Sequence, residues 1–169
     1  MTMKRIILAI IILMAAFSRL LPHPPNFTPI MAMSLLGGLY FKNKQFAVIV
    51  PLLAMFISDL VIGLHGMMIW VYSSIVVISL TASLLKPKMI HLGFASLGSS
   101  FFFFAVTNFG VWVGSGFYPK TFLGLGACYT AGLPFLKNAL VGDMIYVSIL
   151  FGAFELAKKS IPQLRADAV

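Results

Sequence analysis

The sequence predicts an all-α integral membrane protein, a bundle of six transmembrane helices with both termini in the cytoplasm. Three observations carry this prediction. Hydrophobic residue types make up 60% of the 169 residues and charged types 9%, with a mean hydropathy of +1.02; a soluble domain carries roughly 25% charged residues. The apolar residues gather into runs that approach the roughly 20 residues needed to cross a bilayer. The basic residues behind the net charge of +8 recur at the ends of these runs and form no single patch, a topogenic pattern that speaks against a nucleic-acid partner.

A chain of this length holds six or seven spans at most, so residues 1–169 are expected to be one transmembrane domain lying in the lipid bilayer. The first span is Ile6–Leu21, introduced by Lys4 and Arg5. A cleaved signal peptide is its alternative, but no small-x-small cleavage site follows before Arg19. The second span is Phe27–Phe41, after the proline-rich stretch Leu21-Pro22-His23-Pro24-Pro25-Asn26. Both are short for a perpendicular crossing and could form one broken pair around those prolines. Phe46–Leu64, Met67–Leu85 and Ile90–Val113 are the third, fourth and fifth spans, and Pro134–Leu156 is the sixth.

Between the last two lies residues 114–133, a stretch with five glycines and with Tyr118, Cys128 and Tyr129. It reads as a long outer loop, the kind that serves as a lid or binding loop, and is expected to dip back into the bundle.

Orientation follows from the positive-inside rule. With the amino terminus inside, Lys4, Arg5, Lys42, Lys44, Lys86, Lys88, Lys158, Lys159 and Arg165 are cytoplasmic, leaving Arg19, Lys120 and Lys137 outside, nine against three of the twelve basic residues. Both termini of a multi-pass membrane protein are therefore expected in the cytoplasm.

In this topology Asp59, Asn108, Asn138 and Asp143 all fall in the outer half. A carboxylate at mid-depth costs about 2.5–3.5 kcal/mol even on a lenient insertion scale, so the two aspartates must face protein or a wet cavity. One reading is structural: a helix–helix hydrogen bond, a salt bridge from Asp59 or Asp143 to Lys137 or Arg19, or a protonated acid. The other is a solute cavity open to the outside, with Trp112 and Tyr118 supplying aromatic walls. Trp70 and Trp112 also suit an interfacial belt. The candidate substrate-binding residues are thus Asp59, Asn108, Trp112, Tyr118, Asn138 and Asp143.

Other chemistry finds no support. His23, His65 and His91 show no ligand spacing and Cys128 is the single cysteine, so neither a metal nor another cofactor is expected. Gly116–Thr121 superficially resembles a phosphate loop, but Pro119 stands where a glycine is needed, and ATP binding is not expected. No nucleophile–base pairing is visible, which argues against an enzyme and leaves no catalytic residue to name.

The six-span plan with inside termini, the proline-rich first outer loop and the polar outer half resemble the substrate-binding S components of energy-coupling-factor (ECF) vitamin transporters. The segments Asn26–Ile30, Pro51–Asp59, Thr107–Trp112, Tyr118–Thr121, Ala127–Tyr129 and Asn138–Asp143 also look like an uncharacterised bacterial membrane family with that fold. The S-component resemblance implies a solute bound from outside under the outer loops, and a transmembrane coupling subunit with two ATPases as partner. It also implies an Ala-x-x-x-Ala pattern in the first helix, from which this chain departs: Leu13 follows Ala9 and Arg19 follows Ala15. The expected function is a substrate-binding subunit for a small vitamin-like solute; the alternative is a non-transporting accessory or assembly subunit of a membrane complex.

Overall fold

A computed structural model describes residues 3–86, 89–162 and 164; Lys88 and Arg165, both counted in the orientation argument, lie outside them. Regular structure among the described residues is helical throughout: α1 Met3–Phe17, a single 3-10 turn Ser18–Leu20, α2 Ile30–Tyr40, α3 Lys44–Ile62, α4 Met68–Ala82, α5 Met89–Gly114 and α6 Phe122–Ser160. The α1–α2, α3–α4 and α5–α6 connections gather at one end of the bundle, here called the Arg19 end, and the others at the Lys158 end.

Among the described residues three helices are long and apolar enough to cross a membrane: α3, α5 over His91–Gly114, and α6. α2 and α4 are shorter apolar helices. Large apolar side chains, among them Met14, Leu60, Ile69, Phe94 and Ile149, cover the outward faces, an arrangement that suits acyl chains and not water.

The expected second span, Phe27–Phe41, is helical only over Ile30–Tyr40. At 1.5 Å per residue its 11 residues reach about 16 Å, half of a hydrocarbon core of roughly 30 Å. The cause is local, since Pro22, Pro24 and Pro25 each lack the N–H that an earlier helical turn would need. This half-length helix is the centre of the molecule. Every residue from Ile30 to Gly38 is buried, and α2 touches each of the other five helices. Two adjacent glycines permit the closest approaches. A Cβ on Gly37 would lie 2.8 Å from Cγ of Pro51 in α3, and one on Gly38 would collide with the Ser79 carbonyl and Ala82 of α4.

The expected outer loop 114–133 needs a larger correction, because the chain turns within residues 115–121 and is helical again from Phe122. Thr121 caps the new helix, its side chain accepting from the Gly124 amide at 3.1 Å. Of the five glycines that read as loop signals, Gly124 and Gly132 are packing residues, whereas Gly116 takes the positive φ of the turn and Gly114 and Gly126 face open space. A Cβ at Gly124 would strike the Pro119 carbonyl, and one at Gly132 the Asn108 side chain. Trp112 Nε1 donates to the Pro119 carbonyl at 2.9 Å and Lys120 Nζ donates to the carbonyls of Trp112 and Val113, closing the turn. α5 and α6 thus form one long antiparallel hairpin, with Phe117, Phe122 and Leu123 exposed at its tip.

Candidate functional site

The first residue of α2 lies inside the bundle, and the space beyond it is a cavity of about 530 Å³ toward the Arg19 end. Ile30, Met55, Val71, Phe103, Val111 and Phe135 supply apolar wall. The α1–α2 connection contributes Arg19, His23, Asn26 and Thr28, and the α3–α4 connection His65. α5 adds Thr107 and Asn108, the hairpin turn Tyr118, and α6 Cys128. Asn26 adopts φ 62, a left-handed conformation that asparagine tolerates better than most residues, and it redirects the chain toward α2. No aspartate or glutamate lines the cavity among the described residues.

Among the described lining residues Arg19 alone carries a full charge, and its setting is built by three elements, the 3-10 turn, α3 and α4. The side chain is 9% exposed; Nη1 lies 2.7 Å from Oδ1 of Asp59 and donates to the Ser58 hydroxyl. Tyr72 of α4 donates to Oδ2 of Asp59 at 2.7 Å. Asp59 is wholly buried, and a carboxylate there requires a cation and hydrogen-bond donors. Its contact with Arg19 is a charge contact without hydrogen-bond alignment, since Oδ1 has no hydrogen-bond donor. Nε of Arg19 is also enclosed and has no partner. The guanidinium therefore spends Nη1 on α3 and leaves its Nε edge uncommitted.

α5 and α6 meet tightly where they contribute to the cavity wall. Asn108 Nδ2 donates to the Phe104 carbonyl at 2.9 Å, Cys128 Sγ to the Asn108 carbonyl at 3.4 Å, and Tyr129 to the Ala105 carbonyl at 2.7 Å. Cys128 is accordingly 2% exposed, a small buried side chain at the cavity edge.

Of the six residues singled out in the sequence, Asn108 and Tyr118 line this cavity. Asp59 stands behind it, and the cation that it balances is Arg19 and not a solute. Trp112 is turned to the Pro119 carbonyl, a hairpin contact. Asn138 donates to the Pro25 carbonyl at 3.0 Å, fastening the α1–α2 connection to α6, where the rings of Phe27 and Tyr146 also meet at a tilt of 60° with centroids 5.8 Å apart. Asp143 is 2% exposed between α5 and α6 and accepts from Ser100 at 2.5 Å. These last three hold the cavity's frame and do not face into it.

His23, Asn26, Thr28, His65 and Thr107 line the cavity without having been singled out as site residues. Nothing in their spacing relates them, since they come from three segments that only the fold brings together. Arg19 did leave a signal: a lone arginine directly after an apolar run calls for a carboxylate, and Asp59 is one of the two carboxylates of the same half.

At the Lys158 end a second hollow of about 730 Å³ runs between α5 and α6, lined by Gly93, Ser96, Ser148 and Gly152 among apolar residues. Tyr40 and Lys158 both donate to Glu155 at its edge, at 2.8 and 2.7 Å. No group of three or more histidine, cysteine, aspartate or glutamate residues able to hold a metal ion occurs among the described residues.

Neither the curated proteins nor the solved structures hold a match to this chain. A family model does match, over residues 1–164, and its description is a family of unknown function, DUF6580. The match spans all six helices and the cavity they enclose, and on it the chain belongs to that family.

Proposed function

We propose that this protein is a membrane-embedded substrate-binding subunit, S-component-like in role, that receives a small vitamin-like solute at its Arg19 end. The cavity of about 530 Å³ carries this reading. It has the size of a small-molecule site, mostly apolar walls, and a few convergent polar groups in Arg19, Thr107, Asn108 and Tyr118. Asp59 acts one layer behind by holding Arg19, and Asn138 and Asp143 keep the surrounding helices in place.

In this reading six helices cross a bacterial inner membrane with both termini cytoplasmic, and α2 completes its crossing through residues 21–29. The Arg19 end then faces outward. The protein binds and does not catalyse; uptake is energised by a partner, a transmembrane coupling subunit with ATPases.

The test is native mass spectrometry of the full chain released from mild detergent, looking for a co-purifying small molecule. Asn108→Ala and Tyr118→Ala are expected to strip that molecule while the protein stays folded. A molecule retained in full by both variants would place the site elsewhere.

The hollow between α5 and α6 favours a second reading, an accessory subunit that seats a helix of a larger complex on Gly93, Ser148 and Gly152. A chain that purifies empty, yet is pulled down in stoichiometric amounts with other membrane subunits, would support that reading instead.

A further inference from the structure

We infer that the solute of the 530 Å³ cavity is a small organic carboxylate, read by the Nε edge of Arg19 and the N-terminus of α2. The inference rests on the solute-binding reading above and adds the charge and shape of the recognised group.

Four observations converge on an anion. The first is the half-used guanidinium. Arginine presents two donor pairs in a rigid plane, and here both polar contacts run through Nη1, to Asp59 and Ser58. Nε is enclosed with no partner, on a side chain that is 9% exposed and lines the cavity. A buried donor without a partner is costly; a small rotation of the side chain brings the enclosed Nε edge to the cavity, where a planar acceptor pair on a ligand satisfies it in bidentate fashion.

The second is the start of α2. Ile30, its first residue, and Thr28 just ahead both line the cavity, and no side chain caps the helix. The first N–H groups of a helix have no partner within it and carry about half a positive charge between them. Within a membrane interior this end of a shortened helix is a fitting counterpart for a carboxylate.

The third is what the walls omit. Arg19, His23 and His65 line the cavity with no acid among the described residues, and Asp59 behind it is already held by Arg19 and Tyr72. A cationic solute would meet one arginine and no counter-charge.

The fourth is the body of the cavity. Met55, Val71, Phe103, Val111 and Phe135 ask for an apolar or aromatic remainder on the same molecule, which inorganic phosphate lacks. Asn108 of α5 and Tyr118 of the hairpin turn line the same space, where they can orient a ring heteroatom or hydroxyl.

The test uses matched acids and amides, which share shape and differ in charge: nicotinate with nicotinamide, 4-aminobenzoate with 4-aminobenzamide, and indole-3-acetate with indole-3-acetamide, with inorganic phosphate as a fourth arm. Binding to the purified full chain in detergent is read by calorimetry and by the shift in melting temperature. At least one acid is expected to bind ten or more times tighter than its amide, and Arg19→Lys, which keeps the charge but loses the planar edge, should remove that preference. The wild-type comparison stands even if the variant fails to fold. Equal or tighter binding of the amides, binding of phosphate alone, binding by no probe, or an acid preference that survives in folded Arg19→Lys, would each overturn the inference. A neutral molecule that co-purifies and is lost in Asn108→Ala would overturn it too, while leaving the solute-binding reading intact; an empty cavity in every assay would end both.

Discussion

Nη1 of Arg19 lies 2.7 Å from Oδ1 of Asp59, so the turn that ends α1 is pinned to α3 beneath the cavity. Asp59 is fully buried and Arg19 nearly so. Breaking such a pair from one side strands a charge, and Asp59→Ala is expected to lower stability by about 3–5 kcal/mol. The double variant Arg19→Met with Asp59→Leu removes both charges and should lose much less. Unfolding in mixed micelles measures both, and a double variant as unstable as the sum of the singles would contradict the assignment.

Tyr72 supplies the hydroxyl donor to Asp59. Tyr72→Phe keeps the ring and deletes one charge-assisted hydrogen bond, for an expected loss of about 1.5–3 kcal/mol in the same assay. A loss within experimental error would mean that Asp59 is solvated in the folded protein.

Asn108 lines the cavity and Asp143 does not. Asn108→Ala should weaken solute binding at least tenfold, about 1.4 kcal/mol. Asp143→Asn keeps a group able to accept from Ser100 and should leave affinity within about twofold, since 1 kcal/mol is not at stake at a residue that never meets the solute. The reverse ranking, measured by titration, would shift the site toward the α5–α6 interface.

Gly38 and Gly98 test the packing of α2. A Cβ on Gly38 would meet the Ser79 carbonyl and Ala82, whereas one on Gly98 meets open space. Gly38→Ala is expected to cost about 1–3 kcal/mol through overpacking. Gly98→Ala should be neutral or stabilising by about 0.5–1 kcal/mol, the usual helix preference for alanine. Melting curves that rank the two variants the other way would count against the observed seat of α2.

Topology is testable because Cys128 is the single cysteine and is buried. In a Cys128→Ser background, Phe117→Cys at the hairpin tip should react with an impermeant thiol reagent on intact cells. Ser160→Cys should react only after permeabilisation. Equal labelling of both on intact cells would reject the proposed orientation.

Composition pointed to an apolar medium, with 60% hydrophobic and 9% charged residues, and the length of the apolar runs, beyond the roughly 10 residues of a barrel strand, pointed to helices. Run lengths placed the helices, and the pairing open to Asp59 was legible too, since a buried carboxylate must find a cation and Arg19 was one of three basic residues in its half. The hairpin was not legible. Gly124 and Gly132 look alike in a sequence whether they loosen a loop or admit a neighbouring backbone, and only the partner at Pro119 or Asn108 tells which. Nor could sequence say that Asp143 turns to Ser100, because depth fixes how far a side chain sits in the membrane but not which way it points. The cavity itself is a tertiary fact: α2 begins late, three connections contribute to the wall of the gap, and His23, His65 and Asn108 meet around it from segments that no spacing rule relates.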